Sequence, residues 1–407
     1  MNASNYDIIT PSDWVISDSI IKVMGVGGGG CNAVSYMFNQ KIEGCSFVVC
    51  NTDSQALHKS PVPCKVQMGK GLGAGTDPIK GRNAALSSQD RIVEILSDNT
   101  QMLFITAGMG GGTGTGATPV IAKLAKDRGI LTVAVVTIPF RNEGSAAYTR
   151  AIEGIEELEQ HVDSLLIIDN EKLYDYYGDL LVHDAFPKAD EVLSTAVKGI
   201  IEIIKKPGFI NVDFEDVKTM MRDSGMALMG CGIGSGPDRI EDAVHSAFES
   251  PLLNDFDLKT AKNVLVNICT GRNEQGLKMN DLDQINEKIC EYTGNANNFK
   301  RGLICDDDPD VGDTIHITAI ATGFKISSLI GPDNPESNYI SISPDYTYRK
   351  WSEPGEISLP DPAQTIKTPS SDSTASYVYD ADRKPVLLAS SGEEINELEN
   401  TPAITRK

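Results

Sequence analysis

Residues 102–116 read MLFITAGMGGGTGTG and combine a strand pattern with a long run of glycines. The first six residues are an apolar run of strand length, and the glycines that follow are interrupted by Met109, Thr113 and Thr115. The helical pattern TPVIAKLAKDRG (118–129) comes next and ends at Gly129. Successive glycines let backbone N–H groups converge on one anion, and the two threonine hydroxyls add donors. This stretch predicts a phosphate-binding turn between a buried strand and a helix.

Short apolar runs alternate with amphipathic stretches on both sides of this turn. The runs IIKVMGV (20–26), SFVVC (46–50) and ILTVAVVTI (130–138) are rich in β-branched residues, and AVSYMFNQKI (33–42) has helical spacing. Strands that are apolar on both faces belong to a parallel sheet covered on both sides. The predicted class is α/β, with a Rossmann-like first domain.

Two further glycine clusters are present. GVGGGGCNAV (25–34) satisfies G-x-G-x-x-G through Gly25, Gly27 and Gly30. With Asp53 about twenty residues further on, it matches a dinucleotide-binding fingerprint, so an NAD-dependent oxidoreductase is an alternative. That alternative leaves the glycines of 108–116 without a role. The third cluster, GKGLGAG (69–75), is also consistent with a plain loop.

Composition restricts the partners of the chain. Over 407 residues the formal net charge is -21, which disfavours direct contact with nucleic-acid phosphates or anionic lipid. Eight cysteines are scattered without a Cys-x-x-Cys pair, and neither a signal peptide nor an apolar run of membrane-spanning length is evident. These features predict a protein of a reducing cytoplasm, with the cysteines as small core residues rather than metal ligands, so no metal-ligating residue is named.

The second half of the chain has a different pattern. FPKADEVLSTAVKGIIEIIKK (186–206) is a long helix whose apolar positions cover more than one stripe, which is typical of burial between two layers or domains. Beyond it, NVLVNICTG, GLIC and TIHITAIATG predict strands of a second sheet, with helices around EDAVHSAF and DLDQINEKICEY. From about 331 to 391 the chain is rich in Ser, Pro, Asp and Thr, which predicts a disordered linker.

The stretch TAGMGGGTGTGATPVIAKLAKDRGILTVAVVTIPF (106–140) resembles the signature loop of the tubulin/FtsZ superfamily in its bacterial form. Further matches follow in the family's order: IKVMGVGGGGCNAV, NTDSQAL, GLGAG, HVDSLLIIDNEKL, DAFPKAD and NVDFEDVKT. The resemblance covers roughly residues 20–323. It implies an N-terminal extension (1–19), a GTP-binding domain (20–185), a central helix (186–206), an α+β activation domain with the catalytic loop (207–330), a disordered linker (331–391) and an adaptor-binding peptide (392–407).

The resemblance also implies a GTP/GDP site on the first domain. Its phosphate loops comprise Gly28, Gly29, Gly30, Cys31 and Asn32, then Ala74 and Gly75, then Gly110, Gly111, Gly112, Thr113, Gly114 and Thr115. Glu143 is expected to hold the ribose, and Asn170, Phe186 and Asp190 to frame the guanine. Phe186 suits that role because an aromatic face can stack on a purine.

Hydrolysis is assigned by the same resemblance to the loop after the central helix. Asp213 and Asp216, with Asn211 beside them, are expected to act on the GTP of a neighbouring subunit, with Mg²⁺ offsetting phosphate charge. A helix of about 20 residues is about 30 Å long, so these carboxylates cannot reach the nucleotide of their own subunit. Read without the resemblance, two aspartates beside a helix N-terminus are a helix cap.

One position departs from the family's pattern. The loop after the ribose-binding glutamate usually carries an arginine four residues on, and Ala147 stands there instead. Arg141 and Arg150 are the nearby cations, at other spacings. This departure leaves a catalytically weakened scaffold as a second alternative.

The partners implied by the resemblance are other copies of the chain, joined head to tail, and membrane adaptors and division regulators. The closing peptide NTPAITRK resembles, less closely, the tail by which the family meets its adaptors, with Leu398 and Ile404 as apolar anchors. The expected location is the cytoplasm, at the mid-cell division ring.

Overall fold

The computed structural model describes residues 19–97, 99–172, 181–206, 208–249, 258–294, 298–306 and 311–324, and the short segments 340–342, 348–350, 376–379 and 385–389. The side chains of 182–187 and 189 are outside the description, as are those beyond residue 323. The predicted extension 1–19, apart from Ser19, most of the linker and the whole peptide 392–407 therefore lie outside the described residues.

The first half of the chain alternates strands and helices as the sequence predicts. Its elements are β1 (Ile21–Val26), α1 (Gly27–Asn39), β2 (Ser46–Asn51), α2 (Ser54–Lys59), β3 (Cys64–Gln67), α3 (Pro78–Ser87), α4 (Gln89–Leu96), β4 (Met102–Gly108), α5 (Gly112–Lys126), β5 (Leu131–Ile138), α6 (Ser145–Glu159) and β6 (Ser164–Asp169). Helix α1 begins at Gly27, earlier than the pattern at 33–42 predicts, because the glycines themselves form its first turn.

The second half begins with the long central helix. Its elements are α7 (Val182–Lys205), α8 (Phe214–Met221), β7 (Gly225–Gly234), α9 (Arg239–Phe248), β8 (Asn263–Gly271), α10 (Met279–Thr293), β9 (Asn298–Asp306) and β10 (Ile315–Phe324). The central helix was predicted over 186–206 and starts four residues earlier. It packs on the second-half strands, because a Cβ on Gly199 would lie 2.5 Å from Met229 Cε of β7.

Ten strands form one sheet in the order β3-β2-β1-β4-β5-β6-β7-β10-β8-β9. The first six are parallel and follow the 3-2-1-4-5-6 order of doubly wound folds, in which ligands bind where the order reverses, between β1 and β4. Both faces of the central strands β1, β4 and β5 are buried. Val23 and Phe104 contribute to one apolar cluster, and Met24 and Ile105 to the other. The α/β prediction, with strands apolar on both faces, is confirmed.

The prediction of a separate second sheet is wrong. Strand β7 pairs with β6 through three residue pairs, Ser164 with Gly225, Leu165 with Met226 and Leu166 with Ala227, so the second-half strands continue the first sheet. The contact is short, and the strands beyond it are mostly antiparallel. A pattern of apolar runs predicts strands but not the edge at which they pair, which explains the error.

Residues 327–407 form a unit of their own, of which the structure describes four strands in two antiparallel pairs: β11 (Ile340–Ile342) with β12 (Tyr348–Lys350), and β13 (Ser376–Tyr379) with β14 (Pro385–Ala389). The sequence pattern did not predict them within the linker. Two-stranded sheets are only marginally stable alone in water. Among the described helices of the chain, none has the length and apolar content needed to cross a bilayer.

Candidate nucleotide site and aspartate loop

Two long helices start side by side without a side-chain cap. Helix α1 begins after Val26 and α5 after Gly111, and neither start has a capping side chain or an acidic residue in its first turn. By contrast, α2, α3 and α8 are capped by Asp53, Asp77 and Asp213. The first N–H groups of a helix have no intrahelical partner and carry partial positive charge. Two such ends follow β1 and β4, at the reversal of the strand order.

The two glycine loops touch each other through backbone. Gly27 has a φ of +74°, and a Cβ on it would lie 2.9 Å from the amide nitrogen of Gly114. A Cβ on Gly30 would lie 2.2 Å from the carbonyl oxygen of Thr106. Gly28 and Gly111 are different, because both are exposed and a Cβ on either would meet nothing within 4 Å. The buried glycines thus allow the loops to pack, and the exposed ones face open space.

Two other predicted members of the first loop differ in exposure. Asn32 is exposed, whereas Cys31 is buried, with its Sγ 3.5 Å from the carbonyl oxygen of Cys50. Burial raises the pKa of the Cys31 thiol to about 12, so it stays protonated at neutral pH. Cys31 can therefore serve the site through its backbone, and not as a reactive thiolate.

The third glycine cluster is joined to the second, which a plain loop would not require. The amide nitrogen of Gly112 donates to the carbonyl oxygen of Gly75 at 3.0 Å. Ala74 is buried, while Gly75 is exposed with a φ of +60°. All three clusters therefore meet at the first turn of α5.

The threonine hydroxyls are engaged inside the protein. Thr115 Oγ1 accepts a hydrogen bond from the Gly110 amide at 2.8 Å, and Thr113 Oγ1 lies 2.7 Å from Thr52 Oγ1 in a buried pair. Both hydroxyls thus help to hold the loop. Thr115 Oγ1 is the acceptor in its bond, so its own O–H can still donate to a ligand. Donation from these hydroxyls to an anion, beside the backbone N–H groups, stays a prediction.

The predicted ribose and base contacts lie after β5 and β6, at the same edge of the sheet. Glu143 is exposed, and its Oε1 accepts from the amide of Phe140 at 3.0 Å. The backbone amide of Asn170 donates to the Ile138 carbonyl oxygen at 3.3 Å. The side-chain Oδ1 of Asn170 is buried and accepts no hydrogen bond from any residue in the described part of the chain. An unpaired buried oxygen is costly, and a ligand donor would satisfy it.

Asp190 lies on α7 and is half-buried. Burial raises the pKa of its carboxyl to about 6 from an ordinary 3.8. A carboxylate in such surroundings accepts strongly from paired N–H donors of the kind that guanine presents. The side chain of Phe186 lies outside the described residues.

Arg150 contacts the second loop, and the sequence named it only as an alternative. Its Nε donates to the carbonyl oxygen of Gly110 at 2.9 Å. Ala147 lies one turn earlier on α6, and its carbonyl oxygen would be 2.9 Å from a Cβ on Gly110. The first turn of α6 therefore packs against the loop and brings a guanidinium to it. The spacing of the family's arginine could not have identified Arg150, because it lies three residues beyond that position.

The acidic residue of the dinucleotide fingerprint caps a helix. Asp53 Oδ1 accepts from the amides of Gln55 and Ala56 at 2.8 and 3.4 Å at the start of α2. A cap explains an aspartate at this position without a bound ribose.

The predicted catalytic residues lie together in residues 208–216, which lead into the first turn of α8 and are called the aspartate loop below. Asp213 Oδ1 accepts from the Asp216 amide at 2.8 Å, and Asp216 Oδ2 accepts from the Asp213 amide at 3.4 Å, a reciprocal capping box. Asn211 Oδ1 accepts from the Gly208 amide at 2.7 Å. The reading of the aspartates as a helix cap is therefore correct, and it leaves further lone pairs on the exposed Asp213.

This aspartate loop and the glycine loops lie at opposite ends of one subunit. Lys205, the last residue of α7, packs on Gly44, which follows the C-terminal end of α1; a Cβ on Gly44 would lie 2.8 Å from Lys205 Cγ. The glycine loops are at the N-terminal end of α1, which spans about 20 Å at 1.5 Å per residue. The aspartates therefore have no access to the phosphate site of their own chain.

Comparisons with known proteins identify the family of this chain. Residues 20–178 match the model of the Tubulin/FtsZ family, GTPase domain, and residues 225–325 that of the FtsZ family, C-terminal domain. A cell division protein FtsZ from Pseudomonas putida is 48% identical over 317 residues, covering 77% of this chain and 78% of that protein. One from Porphyromonas gingivalis is 47% identical over 315 residues, covering 76% and 68%.

Solved structures give the same result. An empty FtsZ dimer from M. jannaschii superposes with a TM-score of 0.69 at 35% identity, covering 84% of this chain and 94% of that one. The CetZ2 protofilament of Haloferax volcanii, bound to GTPγS, has a TM-score of 0.62 at 20% identity, covering 74% and 92%, which shows the fold alone.

Fold and site together define a tubulin-like protein with a GTPase domain. Within that class, the extent and identity of the matches are decisive. The chain belongs to the FtsZ family of cell division proteins.

Proposed function

We propose that this protein is a GTPase that polymerises head to tail and hydrolyses GTP where two subunits meet. The observation that carries the proposal is the division of the site: two uncapped helix N-termini for the triphosphate at one end of the subunit, and the Asp213–Asp216 loop at the other. Neither end is complete alone. A second copy stacked on the first brings the two parts together.

In this proposal the phosphates lie against three loop segments, Gly28 to Asn32, Ala74 and Gly75, and Gly110 to Thr115. They accept from those backbone amides that have no partner in the protein, whereas the amides of Gly110 and Gly112 already donate to Thr115 Oγ1 and to the Gly75 carbonyl oxygen. The open positions at Gly28 and Gly111 leave room for phosphate oxygens to approach the backbone. Glu143 accepts from the ribose hydroxyls. Asn170 and Asp190 accept from guanine, with Phe186 assigned to its face.

Hydrolysis is phosphoryl transfer to water. A water oxygen forms a bond to the γ-phosphorus, the bond from that phosphorus to the β–γ bridging oxygen breaks, and GDP and phosphate leave. Asp213 of the adjoining subunit accepts a hydrogen bond from the water and orients it, and Asn211 shapes the loop through the Gly208 amide. Mg²⁺ bound to the phosphates would offset the charge on their oxygens.

Exposed apolar side chains support a contact between copies at both ends. Leu72 is 90% exposed in the third glycine cluster, and Ile79 is exposed at the start of α3. At the other end Phe209 is 69% exposed, near the start of the aspartate loop. In the proposed filament a second copy would cover these side chains, since the centre of a protein–protein interface is enriched in apolar and aromatic residues.

The proposed role in the cell is a filament scaffold at the cytoplasmic division ring, attached to the membrane through adaptors that bind residues 392–407. That peptide lies outside the described residues, so this part of the proposal rests on the sequence and on family membership.

The test is phosphate release measured over a range of protein concentrations, beside GTP binding measured by equilibrium dialysis. A polymer-activated GTPase binds GTP at every concentration and hydrolyses it only above a threshold. Tight GTP binding without hydrolysis at any concentration would instead indicate a scaffold that has lost turnover.

A further inference from the structure

Lys300 on strand β9 is not among the predicted site residues, yet it contacts the aspartate loop. Lys300 Nζ lies 2.7 Å from Asp216 Oδ1. This contact, together with the amide of Asp213, holds the pKa of the Asp216 carboxyl below its usual range. Asp213 forms no salt bridge with any residue that the structure describes. The two carboxylates of the capping box therefore differ: one is paired with a cation and the other is not.

Strand β9 holds the same loop at a second point. The amide of Phe209 donates to the Leu303 carbonyl at 2.7 Å, and the Leu303 amide donates to the Ile210 carbonyl at 3.0 Å. Lys300 precedes Leu303 by three residues on β9, which is the edge strand of the sheet. The edge strand thus forms hydrogen bonds to the backbone of the loop and also carries the lysine that contacts Asp216.

The pair has little to do with folding. Lys300 is 53% exposed, and ion pairs exposed to water contribute little to the free energy of unfolding. The positive charge of Lys300 has a larger effect where the aspartate loop approaches an anion. If the aspartate loop approaches the triphosphate of an adjoining subunit, two carboxylates face several phosphate charges of the same sign.

We infer that Lys300 is a positioning residue of the intersubunit site, which offsets the charge of Asp216 so that the aspartate loop can approach the neighbouring triphosphate. Asp213 remains the unpaired carboxylate for the attacking water. The inference rests on the proposed function, since it requires GTP at the interface, and it gives the two aspartates different roles.

The test compares Lys300→Met with the wild-type protein in assembly threshold and GTP affinity at low and high salt. At low salt the threshold should rise about three- to ten-fold, the size expected for one uncompensated charge near an interface. Salt screens repulsion, so the ratio of the two thresholds should fall towards one as salt is raised. GTP affinity below the threshold should not change, because Lys300 lies at the end of the subunit away from the glycine loops.

Two further variants separate charge from structure. Lys300→Arg keeps the charge and should assemble as wild type. Lys288→Met is the matched control, because it also removes a lysine paired with a carboxylate, Glu241 at 3.3 Å, away from the loop, and it should have no effect. An assembly threshold of Lys300→Met equal to wild type at low salt would overturn the inference, as would a defect that salt does not relieve or that Lys300→Arg shares. Failure of the wild-type protein to bind GTP would instead count against the proposed function.

Discussion

Arg150 Nε donates a hydrogen bond of 2.9 Å to the carbonyl oxygen of Gly110, so a guanidinium is fixed to the loop that we assign to the β- and γ-phosphates. No acidic side chain in the described part of the chain forms a salt bridge with Arg150. Its charge is therefore available to a phosphate, in a chain that has Ala147 where the family resemblance leads us to expect an arginine.

Replacing Arg150 should weaken GTP binding more than GDP binding. Hydrogen bonds to charged groups are worth about 1.5–3 kcal/mol, so Arg150→Gln should lower GTP affinity by about ten- to hundred-fold. Isothermal titration with both nucleotides measures the difference. Adding Ala147→Arg to Arg150→Gln should restore the preference for GTP. An equal loss for the two nucleotides would mean that Arg150 only supports the loop.

A pair of glycines separates packing from ligand contact. Gly111 is exposed and a Cβ there meets nothing within 4 Å, so Gly111→Ala should leave the melting temperature unchanged yet reduce GTP affinity by obstructing the phosphates. Gly114→Ala places a Cβ 2.3 Å from the Gly108 carbonyl oxygen and should lower the melting temperature by several degrees. Unchanged GTP affinity in Gly111→Ala would contradict the assignment of that loop.

GTP affinity should depend on the ionisation of Asp190. Its pKa is raised to about 6 by burial, and the ionised form is the one that accepts from guanine, so affinity should fall about ten-fold as pH drops from 7 to 5. Asp190→Asn, titrated in parallel, controls for protonation of the γ-phosphate. The same pH profile in both proteins would refute the role.

In the absence of nucleotide, the contribution of Asp190 to the free energy of unfolding should change with pH in the opposite direction to the GTP affinity. Between pH 3.8 and about 6 the folded protein holds the Asp190 proton and the unfolded chain does not. The contribution of Asp190 to the free energy of unfolding is therefore greatest at low pH and falls as pH rises through that window. Denaturant unfolding of wild type against Asp190→Asn measures the difference.

Removing the closing peptide should separate assembly from recruitment. Deleting Asn400 to Lys407 should leave GTPase rate and filaments unchanged in solution, because the peptide is not part of the proposed site. In cells the truncated protein should fail to form rings, as seen by fluorescence microscopy. Normal rings would show that the peptide is not the attachment point.

Local patterns allowed much of the fold to be predicted, because strand and helix periods are local properties. Residues such as Phe104 and Ile105 on opposite faces of β4 are recognisable from sequence, as are the three glycine clusters. The continuous sheet was not predicted, because the β6–β7 pairing joins Ser164 to Gly225 across the length of the central helix. Apolar runs carry no information about such partners.

Prediction of the site residues from the sequence was limited in the same way. The family resemblance pointed to Asp213 and Asp216, which lie within one helical turn of each other and which local pattern alone reads as a helix cap. It could not identify Lys300, which reaches Asp216 only through the edge strand, nor the use of the Thr113 and Thr115 hydroxyls inside the protein. Contacts between residues distant in sequence depend on strand order, which the sequence pattern leaves open.

The central claim is that one subunit supplies the nucleotide and the next supplies the aspartates. Mixing two inactive variants tests it. Asp213→Asn keeps an oxygen to cap α8 and removes the charge, so it should fold and bind GTP but not hydrolyse it. Gly111→Val should be unable to bind GTP while keeping its aspartate loop.

Phosphate release from an equimolar mixture of these two variants is the decisive measurement. Each variant alone should be inactive, and the mixture should recover hydrolysis, because GTP on the Asp213→Asn subunit meets the intact loop of the Gly111→Val subunit. An inactive mixture, with both variants shown to co-assemble, would contradict a site shared between subunits.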